Sequence, residues 1–305
     1  MGIESDVLRA RARKGLAIYF AGVVLGAAVC EGMLFSEGGP ITQHPLIALS
    51  LMWTPAMASL AARTVLREGA RDVALGFRGR HGIRMLLLGW LYPLLVGGVA
   101  YGAAWGLGLD EFAAPGMASV GLEHAPPIAK LVASVGINLT LGTVLAAISA
   151  FGEELGWRGY MLTRLIEAGV PRPILMSGLI WAGWHLPMIL SGQYAAGPHP
   201  VVSALLFASG VIFASYVAAR VRLESGSLWP AVVFHSSWNA LIQGTFDAFT
   251  RGGNAAHTSS IWIGESGIVV VVVNVLLALL VVIRPWPVRR FPRDEPTQWV
   301  SVRSA

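Results

Sequence analysis

Long apolar runs separated by short polar segments repeat along the whole chain. A membrane-spanning helix needs about 20 mostly apolar residues. Eight runs come near that length, although the fourth and seventh also contain polar residues. They cover residues 15–35, 45–65, 84–108, 130–152, 174–192, 200–219, 227–248 and 266–284. The pattern predicts an all-α polytopic membrane protein, a bundle of about eight transmembrane helices that forms one membrane domain over residues 1–305.

The basic residues predict the orientation of this bundle, because Lys and Arg concentrate in cytoplasmic loops. If the N-terminus is cytoplasmic, every second loop and the tail 285–305 are cytoplasmic as well. All of the 22 Lys and Arg residues then lie on the cytoplasmic side, except Lys130 and Arg251. This alternation predicts cytoplasmic N- and C-termini. The loop 66–83 is basic and amphipathic, which favours a helix lying on the membrane surface.

Composition agrees with a membrane location and excludes several function classes. Apolar residues make up 55% of the chain and charged residues only 13%, about half the share usual in soluble domains. The net charge is +5, but the basic residues lie between apolar runs and form no groove with interleaved aromatics. We therefore expect the lipid bilayer as a partner, and no nucleic acid. Cys30 is the only cysteine, which excludes a disulfide framework and a multi-cysteine metal site.

A first polar cluster ends the fourth run and contains Glu153, Glu154 and Arg158. Ionisable groups at membrane depth are costly, and they indicate function by default. Arg158 follows Glu154 by four residues, the spacing of an ion pair on one helix face. Glu153 points about 100° away and is free to face a cavity as a general base. The alternative is that all three residues only tie helix ends together.

Two further clusters place histidines in the fifth and seventh runs. His185 follows Trp181 by one helical turn, and His235 shares a helix face with Asn239. Taken singly, each cluster is equally consistent with hydrogen bonding between membrane helices. The predicted topology, however, puts all of them with Glu153 in the cytoplasmic half of the bilayer. We expect the three clusters to meet in one cavity that is open to the cytoplasm.

The order and spacing of these motifs resemble the CAAX prenyl protease type II and bacteriocin-processing family, often called CPBP or Abi. The resemblance covers about residues 130–245. Trp181 stands where the family commonly has phenylalanine, and it preserves an aromatic wall. The residues that carry the resemblance are Glu153, Glu154, Arg158, Trp181, His185, His235 and Asn239.

The resemblance implies a fold and a reaction. It implies an all-α membrane bundle that works as an intramembrane endopeptidase similar to CAAX prenyl protease 2, cleaving near the cytoplasmic side. Glu153 would activate a water molecule, with assistance from His185. His235 and Asn239 would stabilise the tetrahedral oxyanion. Glu154 and Arg158 would hold the first motif in shape, as supporting residues together with Trp181.

A metal is an open alternative at this stage. Members of the family are often described as metalloproteases, and Glu153, His185 and His235 could hold zinc with an open fourth position. The chain has no His-Glu-x-x-His helix. An oxyanion role for His235 and Asn239 fits a metal-free reaction better, and a mechanism without an obligatory metal is the favoured hypothesis.

Other functions on the same scaffold also remain open. One is a non-proteolytic bacteriocin-immunity or binding protein, and another is an enzyme that acts on a lipid or isoprenoid. A transporter would be expected to show inverted repeats, and the sequence contains no such symmetry. If the protein is a peptidase, the expected substrate is a peptide or a membrane protein. One form of this hypothesis is that the substrate is prenylated or lipid-associated. The expected location is a bacterial inner membrane.

Overall fold

The computed structural model describes residues 2–253, 260–283, 287–289 and 299–301. Within these ranges the chain forms eight helical passes connected by loops. The first four helices are α1 (Gly2–Glu37), α2 (Pro45–Leu66), α3 (Gly79–Gly106) and α4 (Pro127–Glu167). The last four are α5 (Pro173–Leu190), α6 (Pro200–Ser225), α7 (Trp229–Trp238) and α8 (Ile268–Val282).

The six helices α1 to α6 are long and apolar enough to cross a membrane, judged by length and composition, and α8 is a shorter apolar helix. The helix α7 continues as a π-helix over Asn239–Phe246 and a 3₁₀ turn over Asp247–Phe249. These passes confirm the predicted all-α, multi-pass membrane protein. The described residues also include two short strands, β1 (Pro287–Arg289) and β2 (Trp299–Ser301), which pair antiparallel. Most of the predicted tail 285–305 lies outside the described residues.

Proline and glycine mark where several helices begin and end. Proline occupies the first turn of α2, α4, α5, α6 and α7, where its missing N–H costs no helical hydrogen bond. The helix α6 ends at Gly226, whose φ of 68° is the left-handed conformation that glycine adopts readily at a helix C-terminus. These residues therefore set the boundaries of the helices.

The helix α4 differs from the predicted fourth run because it continues without a break to Glu167. Two π-helical segments interrupt its regular winding, at Asn138–Gly142 and at Trp157–Met161. The second of these carries Arg158. The first polar cluster therefore lies inside a continuous helix and not at its end.

The predicted surface helix over 66–83 is wrong. This segment is a loop with one 3₁₀ turn, Arg71–Val73, and α3 begins only at Gly79. The reason is Asp72, which is buried and binds Arg63 at 2.6 Å and Arg164 at 2.8 Å. These ion pairs hold the loop against the helix ends and prevent it from lying on the membrane as a helix.

The bundle has two chemically different ends. The end that carries the loops after α2, α4 and α6 is rich in arginine, and we call it the basic end. Arg164, in the last turn of α4, binds Glu68 and Asp72 in the loop after α2. At the opposite end, the side chain of Gln193 after α5 donates to the carbonyls of Leu34 and Gly39. We call this second end the loop 38–44 end.

Candidate active site

All four residues predicted to be catalytic line one cavity of about 680 Å³. The helix α4 lies between α2 and α7 and contributes Glu153, while α5 contributes His185 and α7 with its π-helix contributes His235 and Asn239. The rest of the wall is mostly apolar and comes from α2, α4, α5, the π-helix after α7 and the loops before α2 and after α5. The structure therefore brings together the three clusters that the sequence leaves on separate helices.

The two oxygens of Glu153 have different surroundings. Its side chain is buried, and Oε2 accepts hydrogen bonds from the indole N–H groups of Trp157 at 3.1 Å and Trp181 at 3.0 Å. The other oxygen, Oε1, lies 3.9 Å from Nε2 of His235. That distance is too long for a direct hydrogen bond, but a single water molecule can bridge it. One oxygen is thus fixed by indoles, and the other faces the cavity.

Glu154 connects Arg158 to His235. Arg158 donates to Glu154 Oε1 at 2.8 Å, so the ion pair expected from their spacing is present, and both side chains are fully buried. His235 Nδ1 lies 3.0 Å from the same oxygen. Because an ionised carboxylate only accepts, the proton is on Nδ1. The guanidinium of Arg158 also lies 4.0 Å from the centre of the Trp181 ring. Glu154 therefore sets both the tautomer and the direction of His235.

His185 is held by its own helix and by aromatic rings. Its Nδ1 lies 2.8 Å from the backbone oxygen of Trp181. A carbonyl only accepts, so Nδ1 donates and Nε2 remains as the acceptor of a neutral ring. The ring centres of Trp184 and Phe207 lie 4.8 and 4.9 Å from the imidazole. These contacts fix the orientation of His185 at the cavity wall.

Asn239 lies at the first position of the π-helix and is half-buried. Within the described part of the chain its amide makes no hydrogen bond. It lies one turn beyond His235 and lines the same cavity. Segments of π-helix occur often at functional sites, because the wider turn redirects side chains. The amide is therefore available to a ligand in the cavity.

A fourth polar group adjoins the site and was missed in the sequence. Glu265, in the segment before α8, accepts hydrogen bonds from Trp238 at 2.7 Å, Tyr194 at 2.5 Å and Gln243 at 3.0 Å. The ring of Tyr194 stacks on His185 at 5.9 Å. The one signal for Glu265 in the sequence is that an acidic residue stands just before an apolar run. Its partners come from two separate segments, Tyr194 after α5 and Trp238 with Gln243 in α7 and its π-helix, and no sequence spacing relates Glu265 to them.

The side chains do not fit the zinc site considered above. Among the described residues, no three His, Cys, Asp or Glu side chains lie together as a metal-binding group. The Nδ1 contacts of His185 and His235 leave both Nε2 atoms open, so the misfit lies in the relative placement of the three side chains and not in their hydrogen bonds. A mechanism is therefore derived below from the protein side chains alone.

The cavity extends from the site towards the loop 38–44 end, and its opening to the cytoplasm stays a prediction. His235 lies six residues into α7, near the basic end as expected, but the lining of the cavity continues in the other direction. Its far wall includes Ile41, Thr42 and Pro45, at the loop 38–44 end. Towards the basic end, a layer of buried side chains fills the bundle. This layer contains Tyr19, Trp157, Arg158 and Tyr160, each fully buried.

Comparison with known proteins relates this chain to one family. Residues 135–241 match the family model described as type II CAAX prenyl endopeptidase, Rce1-like. The matched stretch contains all three motifs, and it confirms the resemblance seen in the sequence. The match supports, at the level of a family, a CAAX-protease-like intramembrane endopeptidase. No curated protein and no solved structure matches the chain.

Proposed function

We propose that this protein hydrolyses peptide bonds inside the membrane with a water molecule activated by Glu153. The observation that carries the proposal is the position of Glu153 Oε1. This oxygen faces His235 Nε2 across 3.9 Å, on the wall of a cavity that Asn239 also lines. A base, two candidate donors and space for a polypeptide segment thus occur in one place.

The reaction follows from these positions. Glu153 takes a proton from water, and the resulting hydroxide attacks the carbonyl carbon of the scissile bond. The carbonyl oxygen becomes an oxyanion and accepts hydrogen bonds from Asn239 Nδ2 and His235 Nε2. When the C–N bond breaks, Glu153 returns its proton to the leaving nitrogen, which departs as an amine. General base catalysis of this kind contributes about 10²–10⁴ in rate.

The charges around His235 support its role as a donor. Glu153 and Glu154 carry two negative charges, and Arg158 supplies one positive charge. If His235 is an imidazolium, the charges of these four groups sum to zero. It would then donate through Nδ1 to Glu154 and through Nε2 into the cavity. His185, which presents Nε2 as an acceptor, would assist by orienting the water or the substrate.

The proposed substrate is a peptide or a membrane protein, prenylated or otherwise lipid-associated, and the proposed location is a bacterial inner membrane. The apolar cavity walls, including Leu49, Leu145 and Ile148, support a substrate with an apolar segment next to the cleaved bond. The same walls would also accept a lipid, so an enzyme that acts on a lipid or isoprenoid is the second candidate.

One experiment separates these candidates. Purified protein in liposomes would be incubated with a library of membrane peptides, half of them prenylated, and in parallel with isoprenoid lipids. Mass spectrometry should detect new peptide termini and unchanged lipids. Altered lipids with intact peptides would favour the second candidate. No product in either arm would favour the non-proteolytic binding or immunity protein.

A further inference from the structure

We propose that Glu265 is a positioning residue, which holds His185 and Asn239 in place through three hydrogen bonds to their neighbours. This inference rests on the proposed function, because it takes His185 and Asn239 to act on a bound peptide. Glu265 lies outside the matched residues 135–241, and its role follows from its own hydrogen bonds and from the cavity that it lines.

Glu265 lies in a tight turn that is anchored to the rest of the bundle. The turn is closed by the N–H of Gly267, which donates to the carbonyl of Gly264 at 2.9 Å. Gly264 has a φ of 84°, which glycine adopts without strain. The hydroxyl of Ser266 donates to the backbone oxygen of Ala195 at 2.6 Å and fixes the turn to the segment after α5. The carboxylate therefore extends from a rigid support.

Two of the donors to Glu265 stand on either side of Asn239. Trp238 immediately precedes Asn239 and donates to Oε1 at 2.7 Å, and Gln243 follows it by four residues and donates to Oε2 at 3.0 Å. The π-helix begins at Asn239. Because π-helical winding is rare in proteins, we expect it to need support from outside the helix. The carboxylate supplies that support across the turn that carries Asn239.

The third donor connects Glu265 to His185. The hydroxyl of Tyr194 donates to Oε2 at 2.5 Å and accepts from the amide of Gln243 at 3.2 Å. The ring of Tyr194 stacks on the imidazole of His185, with the two ring planes 26° apart. The hydrogen bond of Nδ1 alone leaves the imidazole free to tilt, and the stacked ring removes this freedom. Glu265 therefore restrains His185 through Tyr194.

A second, small cavity makes this restraint necessary. Its volume is about 40 Å³, and its wall includes Glu265, His185, His235 and Asn239. Side chains that border a cavity have no packing contacts on that side. Hydrogen bonds to Glu265 must therefore do what packing does elsewhere, and keep the catalytic groups from turning into this space.

Replacement by glutamine tests the role, because an amide cannot hold all three donors. A carboxylate only accepts, whereas the NH₂ group of glutamine would face one of the donors. Glu265→Gln should lower the kcat of peptide cleavage about 10–100-fold, because a displacement of about 1 Å costs up to about 100-fold. KM should change by less than about threefold, since His185 and Asn239 act mainly on the transition state.

A double variant provides the rescue. Glu265→Gln combined with Gln243→Glu exchanges the carboxylate and the amide. The carboxylate at position 243 can again accept from Tyr194, and the amide at position 265 can accept from Trp238 and donate to position 243. This variant should recover most of the lost kcat.

The matched control is Asp247→Asn. Asp247 is another buried carboxylate that accepts from a tyrosine, Tyr101, and neither of these two residues lines the cavities of the site. Asp247→Asn should lower the melting temperature and leave kcat unchanged. A loss of kcat in this control as large as in Glu265→Gln would overturn the proposal, because a general loss of stability would then explain both.

All variants would be measured as full-length protein in liposomes on a peptide that the wild type cleaves, with melting temperatures from the same preparations. Wild-type kcat in folded Glu265→Gln would overturn the positioning role and leave the proposed function intact. The positioning role would also be overturned if the double variant stayed as slow as Glu265→Gln.

Tyr194→Phe carries the test if Glu265→Gln does not fold, since it removes a single hydroxyl and keeps the stacked ring. It should lower kcat with little change in KM, and an unchanged kcat would overturn the proposal. If the wild type itself cleaves no peptide, the proposed function is refuted, and the positioning role is refuted with it.

Discussion

Glu153 and Glu154 are adjacent in sequence, but their partners give them different tasks. Glu154 is bound by Arg158 and His235, and both of its partners are buried. Glu153 is held on one side by Trp157 and Trp181 and faces the cavity on the other. Replacing Glu153 and replacing Glu154 should therefore affect two different properties of the protein.

Glu154→Gln should mainly reduce stability. Removing one partner of a buried ion pair leaves an uncompensated charge and costs about 3–5 kcal/mol. It should also slow cleavage, because His235 loses the charged acceptor that orients it. Thermal unfolding in detergent measures the first effect, with Glu123→Gln at an exposed position as the control. An unchanged melting temperature together with full activity would contradict this role of Glu154.

Asn239→Ala should reduce turnover without unfolding the protein. Loss of one oxyanion donor costs about 10²–10³ in kcat, or about 2.7–4 kcal/mol. The amide has no partner among the described residues, so we expect an unchanged melting temperature. The control is Ser149→Ala, whose hydroxyl lines the cavity but bonds only to the backbone of Ala146. Equal rates for the two variants would exclude Asn239 from the site.

Part of this residue-level arrangement could be predicted from the sequence. The ion pair of Glu154 with Arg158 follows from their spacing on one helix. The donation of Trp157 and Trp181 to a single oxygen could not be predicted, because it depends on how closely α4 and α5 approach. Glu265 could not be predicted for the same reason, since its partners come from two segments that are distant from it in sequence.

At the scale of elements, the contact of α2 with α4 determines where the cavity closes. The glycines of α4 that face α2 allow this contact, whereas Gly136 in the same helix faces open space. Gly156 lies against the backbone of Pro55, and a Cβ added at Gly136 would meet nothing within 4 Å. The two positions therefore form a matched pair within one helix.

Gly156→Ala should destabilise the protein by about 1–3 kcal/mol, the usual cost of overpacking, because a rigid helix backbone cannot move aside. Gly136→Ala should be neutral or stabilising by about 0.5–1 kcal/mol, since alanine favours the helix. Unfolding of both variants in the same detergent provides the comparison. Equal stability of the two variants would mean that α2 and α4 are not in close contact.

The elements themselves were largely predictable, because the length of an apolar run is a direct consequence of bilayer thickness. Each of the eight predicted runs corresponds to a helical pass. The segment 66–83 was predicted wrongly, since its amphipathic pattern does not reveal that Asp72 turns inward to meet Arg63 and Arg164. The continuation of α4 to Glu167 depends likewise on ion pairs at the basic end.

At the scale of the whole molecule, the buried ion pairs of the basic end join α2, α4 and the loop between α2 and α3. Asp72 is central among them. Burial by itself raises the pKa of Asp72, but Arg63 and Arg164 outweigh that effect and lower it below the ordinary value of 3.8. A carboxyl group with a lowered pKa stabilises the folded state above its unfolded pKa, and this stabilisation is lost as the pH falls through the folded pKa.

The wild-type protein should therefore lose stability on acidification below about pH 4. Asp72→Asn should be less stable at pH 7 and should show a smaller further loss in acid. Melting temperatures of both proteins, measured in detergent from pH 7 to pH 3, provide the test. Parallel curves for the two proteins would mean that Asp72 does not contribute to the acid response.

The central claim is that the Glu153 carboxylate activates the water that cleaves the peptide. The most direct test is the cleavage rate of purified Glu153→Gln beside the wild type, with melting temperature and metal content measured on the same samples. We predict that cleavage is lost while the melting temperature stays close to that of the wild type and added chelator leaves the wild-type rate unchanged. Normal turnover by the folded Glu153→Gln variant would contradict the account.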